Sequence, residues 1–239
     1  MLLRLRNSVA SMTGMARAQE RTANNLANAG TLGFKRERAF VEVLNEHIDT
    51  DGGPHSNRAI RQYVDFSQGP MEQTGNRFDM ALEGEGFFAL TDPDTTETSY
   101  TRAGRFRLDG DGMLVSPSGK QVEGEGGPIQ IPLDAKEIEF RSDGTLMVDG
   151  LQAGRVTMVT FEDLSVLTRQ SAAEFTAGDA ESTESKALLR QGFVEKSNAE
   201  PIEAMTGMIK HLRLFEMQQR MLRGTDENLS QSVRSLGRF

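Results

Sequence analysis

Histidine is the side chain that most readily serves as general base or metal ligand near neutral pH, and this chain has three, His47, His55 and His211. No two of them have the spacing that sets ligands on one helix face, and all three are expected at the surface. A Ser–His pairing would need a serine on a tight strand-to-helix elbow, and no G-x-S-x-G occurs. Cysteine is absent, which removes a disulfide framework and thiolate metal sites together. The D-G-D-G at residues 109–112 lacks the alternating Asp/Asn ligands and closing Glu of a calcium loop and reads as a hairpin turn. In G-E-G-F-F, residues 84–88, no third glycine and no helix follow, so a phosphate cradle fails on context. Those glycines read as a tight approach ahead of two core phenylalanines. The expected catalytic, cofactor-binding and metal-ligating residues are therefore none.

Composition points the same way. Of 239 residues 37% are hydrophobic and 26% charged, and the mean hydropathy is -0.47. Such a thin apolar supply suits a chain that buries part of its surface against partners. The net charge of -8 is unevenly spread: residues 1–40 carry +5 and residues 201–239 carry +2, leaving -15 for the middle. An acidic body without tryptophan, and with 6% aromatics, is a poor nucleic-acid binder. No run of about 18 apolar residues exists, so no membrane span is expected. The first apolar stretch is interrupted by Arg4, Arg6 and Asn7 and has no signal-peptide core.

The elements that could position anything are two helices and many strands. Leu2, Leu5, Val9, Met12, Ala16, Gln19, Ala23 and Leu26 alternate at three and four residues, a heptad seam with one polar member. Pro201 with Glu203 behind it marks a second helix start. Ile202, Met205, Ile209, Leu212, Glu216, Gln219, Leu222, Asp226, Leu229, Val233 and Leu236 keep mostly heptad spacing from there. Between them, short apolar runs alternate with Gly, Asp, Pro and Ser, and Asp-Gly separates the runs in L-D-G-D-G-M-L and R-S-D-G-T-L-M-V, a strong hairpin signal. The expected fold is α+β, with N- and C-terminal helices packed together as a coiled-coil-like core and an inserted all-β domain. The expected segments are a helix and its end motif at 1–40, a connection at 41–68, the β-domain at 69–161, a return connection at 162–190 and the second helix region at 191–239.

One stretch is compositionally odd. A-N-N-L-A-N-A-G-T-L-G-F-K, residues 23–35, places three asparagines at the end of a helix, where they are poor helix formers. It resembles the N-terminal signature of the bacterial flagellar rod and hook proteins. Residues 67–90, 100–122 and 191–229 resemble the central and C-terminal blocks of that family, including Ser197, Asn198, Arg213, Glu216 and Asp226. One departure is local: Glu200 stands where the family usually has Asn ahead of the helix-starting proline, which leaves the helix start open to an earlier cap by Asn198.

The resemblance implies a structural subunit of the rod of the flagellar basal body, not an enzyme and with no cofactor. It implies a shaft that crosses the periplasm and transmits torque to the hook. The implied partners are copies of itself, the proximal and distal rod proteins, and the flagellar type III export apparatus, which exports such chains without a cleaved signal. Length places the chain nearest the proximal-rod members, with the distal-rod members as the alternative and a wall-binding β-module as a third reading. For such a protein the site is the assembly interface. Spacing nominates Leu5, Val9, Met12 and Leu26 with Ile209, Leu212, Leu222 and Leu229, and the motifs nominate Asn24, Asn25, Asn28, Thr31, Gly33, Phe34 and Lys35 with Ser197, Asn198, Arg213, Glu216 and Asp226.

Overall fold

The computed structural model describes residues 2–43 and 58–236, with side chains described for 10–39 and 63–224. Helix α1 spans Leu2–Ala27 and helix α2 spans Pro201–Leu236, and among the described residues all the strands lie between them. The chain divides into two compact units, one of residues 1–27, 37–62 and 200–239, the other of residues 28–36 and 63–199.

In the first unit α1 and α2 pack on each other. The expected coiled-coil-like core needs correcting, because a coiled coil is not what the packing shows. On α2 the covered or half-covered positions are Ala204, Gly207, Met208, His211, Leu214, Phe215, Gln218, Gln219 and Leu222. The first half of the seam read from spacing runs along another face: Ile202 is 80% exposed, Met205 52%, Ile209 54% and Leu212 51%. Gln219 and Leu222, further along it, are half-covered. On α1 Met12, Gln19, Ala23 and Leu26 are half-buried and Ala16 is exposed. The physical reason lies in what the helices meet. A small residue, Gly207, sits against Thr22, and His211 and the glutamines share the covered face. The covered face is thus a mixed one, Met208, Leu214 and Phe215 standing beside a glycine, a histidine and two glutamines, and not an unbroken row of apolar knobs.

Helix α2 begins where Pro201 fits best, at a first helical position whose missing N–H costs nothing. The Glu200 carbonyl accepts from Ala204 N–H at 3.0 Å. Asn198 does not cap this helix, because its side chain is bonded elsewhere in the second unit.

The second unit is β-rich well beyond 69–161. Its largest sheet holds ten strands and reaches Thr183–Glu184. Strand Phe193–Glu195 pairs antiparallel with Met71–Gln73, and Leu188–Gln191 with Met80–Glu83. Both Asp-Gly hairpins form: Arg107–Leu108 pairs with Leu114–Val115, and Ile138–Phe140 with Thr145–Val148. Phe87 and Phe88 lie on one strand, Phe87–Thr91, so their side chains point to opposite faces. Phe88 enters a cluster with Met80, Leu90, Phe106 and Leu146, while Phe87 joins Val159, Phe161 and Phe175. Gly86 ahead of them is required by space, since a Cβ there would lie 2.3 Å from Ser185 Oγ.

Candidate functional site

After α1 the chain turns at once. Thr31 donates its N–H to the Asn28 carbonyl at 3.0 Å and its hydroxyl to Asn28 Oδ1 at 3.3 Å. Gly33 then takes φ +66°, and a Cβ at that position would meet Ala103 N at 2.2 Å. A left-handed backbone costs other residues about 1–2 kcal/mol before any clash is counted. Gly33→Ala is therefore expected to destabilise the chain by at least about 2 kcal/mol in urea unfolding. Gly30→Ala, where nothing lies within 4 Å of the added carbon, is expected to be nearly neutral.

Asn25 in the first unit mimics a backbone partner. Its Nδ2 donates to the Glu37 carbonyl and its Oδ1 accepts from the Glu37 N–H, both at 2.9 Å. An amide has both the donor and the acceptor for this, and no charged side chain has. Asn24 and Asn28 are half-buried.

The second unit holds a charge cluster closed to water. Lys35 and Glu195 are both 0% exposed, with Nζ 2.6 Å from Oε1. Lys35 Nζ also donates to the Ser67 carbonyl at 2.7 Å, and Glu195 Oε1 accepts from Gly69 N–H at 2.8 Å. Arg102 reaches the other carboxylate oxygen at 3.2 Å and donates to the Leu82 and Gly84 carbonyls at 3.3 and 2.6 Å. Two cations thus share one carboxylate and three backbone carbonyls, and the buried Arg102 Nε is left without an acceptor. Burial pulls the Lys35 ammonium below its usual range, and Glu195 only partly restores it. Arg102 is pulled down by burial in the same way.

Around this cluster Asn198 ties three passes of chain together. Its Oδ1 accepts from Arg36 N–H at 2.7 Å, and its Nδ2 donates to the Asp65 and Ser67 carbonyls at 2.8 and 3.0 Å. Its own N–H donates to the Phe34 carbonyl at 3.3 Å. Ser197 is buried and accepts from Ala199 N–H at 3.0 Å. Phe34 is fully buried beneath the Arg169 guanidinium, 4.6 Å from its ring centre, and Arg169 also bonds the Lys35 carbonyl. Burial raises the Asp65 carboxyl, but Ser67 and the Arg36 guanidinium outweigh it and leave the group below its usual range.

The nominated residues thus fall into two sets. Phe34, Lys35, Ser197 and Asn198 come together with Gly33 in one junction of the second unit. Ile209, Leu212, Arg213 and Glu216 face outward on α2, with Glu216 3.5 Å from Arg220 along the helix. Leu222 is half-buried, while the side chains of Leu5, Val9, Asp226 and Leu229 lie outside the described residues. Glu195 and Arg102 were not nominated, although both lie inside stretches that carry the resemblance. A lysine directly after a buried aromatic is the one signal that a buried counter-charge exists. Nothing in the sequence says which acid supplies it.

His211, on the covered face of α2, is held below its usual range by burial and by Arg21 and Lys210 nearby. Between that lowered value and 6.5 the unfolded chain binds more protons than the folded one. The helix pair therefore loses stability as pH falls through this window and levels off below it. Thermal melts of wild type and His211→Gln between pH 7.5 and 5 should show the slope in the former alone.

Among the described residues no group of acidic and histidine side chains is arranged to hold a metal, and no helix is long and apolar enough to cross a membrane. The family model described as the flagellar hook protein FlgE/F/G D1 domain matches residues 81–148, and that described as the flagellar basal body rod FlgEFG protein C-terminal matches residues 190–235. The flagellar basal-body rod protein FlgF of Caulobacter vibrioides is 32% identical over 225 positions, covering 91% of each chain. FlgF of Salmonella typhimurium is 32% identical over 228 positions, covering 87% of each. FlgG of Bacillus subtilis is 32% identical over 261 positions, covering 96% of this chain and 98% of its own. Identity near one third across almost the full length, together with a match over the β-body and another over α2, decides the family: the chain belongs to the flagellar basal-body rod proteins.

Proposed function

We propose that the chain is a structural subunit of the proximal part of the flagellar rod, built into the shaft through its helices. It would join copies of itself and the other rod subunits. The observation that carries the assembly reading is the row of large apolar side chains left open on α2, Ile202, Met205, Ile209 and Leu212, stepping round to Met217 and Met221. A stripe running about 30 Å along a helix is a surface that a solitary monomer seldom leaves uncovered. The relatives' location in the basal body supports the same placement for this chain, in a shaft that crosses the periplasm and passes torque to the hook. Export through the flagellar type III apparatus belongs to the same proposal and rests on the chain's membership of the rod family.

The proximal position is proposed because the resemblance sets a chain of 239 residues nearer the shorter, proximal-rod members. Identity does not separate the two positions, since these FlgF relatives and B. subtilis FlgG are alike at 32%. The distal position is the second reading, since that FlgG is as similar in identity and is covered almost end to end. A labelled copy mapped in isolated basal bodies decides between them. Label confined to the distal segment would displace the proximal reading, and a deletion strain that built a complete rod would refute both.

A further inference from the structure

Segments 33–36 and 195–198 lie side by side and run in the same direction. Gly33 N–H donates to the Glu195 carbonyl at 2.8 Å, and Arg36 N–H donates to Asn198 Oδ1 at 2.7 Å, so the offset is the same at both ends. Between them lie the Asn198 N–H bond to the Phe34 carbonyl and the Lys35–Glu195 ion pair. The far side of 195–198 is held as well: Glu195 pairs with Met71, and Lys196 N–H donates to the Pro70 carbonyl at 2.9 Å. The chain enters this ladder at its 33 end and leaves it at its 198 end. Tension on the two chain ends therefore slides the segments past each other, loading every cross-tie at once. Had the segments run in opposite directions, the same pull would have opened the ties one after another.

We propose that this ladder is a shear clamp. It passes tension directly from the segment following α1 to the segment preceding α2, so the β-body between them carries little of the load. Water is the usual competitor for a strained hydrogen bond, and here Lys35, Glu195 and Phe34 are sealed from it at 0% exposure. The side chain of Asn198 makes the clamp three segments wide by adding 65–67. The clamp is a property of the single chain and does not depend on how copies assemble.

The absence of cysteine allows one to be added at each end of the full-length chain as a handle for single-molecule pulling. The main event should be one rupture freeing the 160 positions that separate Lys35 from Glu195, about 550 Å of chain at ~3.4 Å per residue. Asn198→Ala should roughly halve the rupture force, since forced unfolding follows the barrier rather than the equilibrium. Leu146→Ala, in the body's core, should lower the melting temperature and leave that force unchanged. If Asn198→Ala does not fold, Asn198→Asp keeps the acceptor for Arg36, loses the two donors, and should still weaken the rupture. Equal force losses in the Asn198 and Leu146 variants, an unchanged force in the Asn198 variant that folds, or release of the 160 positions in several shorter steps would each overturn the clamp. Parting of the two helices, which lie outside it, is expected first.

Discussion

Glu195→Gln should lower the unfolding free energy of the full-length chain by about 3–5 kcal/mol, read as a shift in urea midpoint at constant slope. The substitution keeps the shape of the side chain and removes the carboxylate that Lys35 and Arg102 share. Both cations stay sealed in the body, at 0% and 3% exposure, and neither can be rehydrated without opening it. Arg102 cannot shed its charge at any pH the fold survives. Lys35 can, and this gives the variant a signature. With the carboxylate gone, burial and the Arg102 charge act on Lys35 against Asp65 alone, and its folded value falls further below the unfolded 10.5. In the window between the two the unfolded chain binds more protons, so the variant gains stability as pH rises. Its deficit should shrink on the alkaline side. Lys35→Met should cost less than Glu195→Gln, because it leaves one carboxylate facing one guanidinium. An equal or larger loss from Lys35→Met would mean that the carboxylate does not hold the cluster together.

How far this cluster could be read from sequence depends on which of its bonds are local. The two helices follow from spacing and from Pro201, and the hairpins from Asp-Gly pairs, because each signal sits within a few residues of its effect. The turn at Gly33 is legible for the same reason. Glu195 lies 160 positions from Lys35 and 93 from Arg102, and no local rule connects them. The covered face of α2 failed to show for a different reason. Ile202, Met205, Ile209 and Leu212 form one apolar row in the first half of that helix, and Ala204, Met208, Leu214 and Phe215 form another, so apolar spacing alone does not say which row the chain covers. The covered row includes Gly207, which sits against Thr22, and interleaves its apolar residues with His211 and Gln218, which blur it in a hydrophobicity pattern. The mismatch is informative. A chain that packs its own helices through one apolar row leaves the other for something else.

Replacing Ile209 and Leu212 together by Asp should abolish incorporation into the rod and leave the monomer's stability within about 0.5 kcal/mol of wild type. In the single chain both side chains are half exposed, so little packing is lost. In an assembled shaft under the proposed reading the same positions are covered, where each aliphatic side chain is worth about 1.5–3 kcal/mol on full burial. A carboxylate driven into that contact adds a desolvation cost larger than the lost transfer energy. The penalty also recurs, because a subunit that joins through two different faces makes the contact with a neighbour on each side. Complementation of a deletion strain should therefore give normal protein levels, no motility, and basal bodies without the labelled chain. The matched control is Leu133→Asp with Leu151→Asp, two leucines of the β-body that are 66% and 76% exposed. They carry the same chemistry away from α2, and that variant should assemble. Motility retained in the α2 variant would show that its outward stripe is no contact at all. Motility lost in both would show that any added carboxylate pair blocks incorporation, and the assignment of the interface to α2 would fall with it.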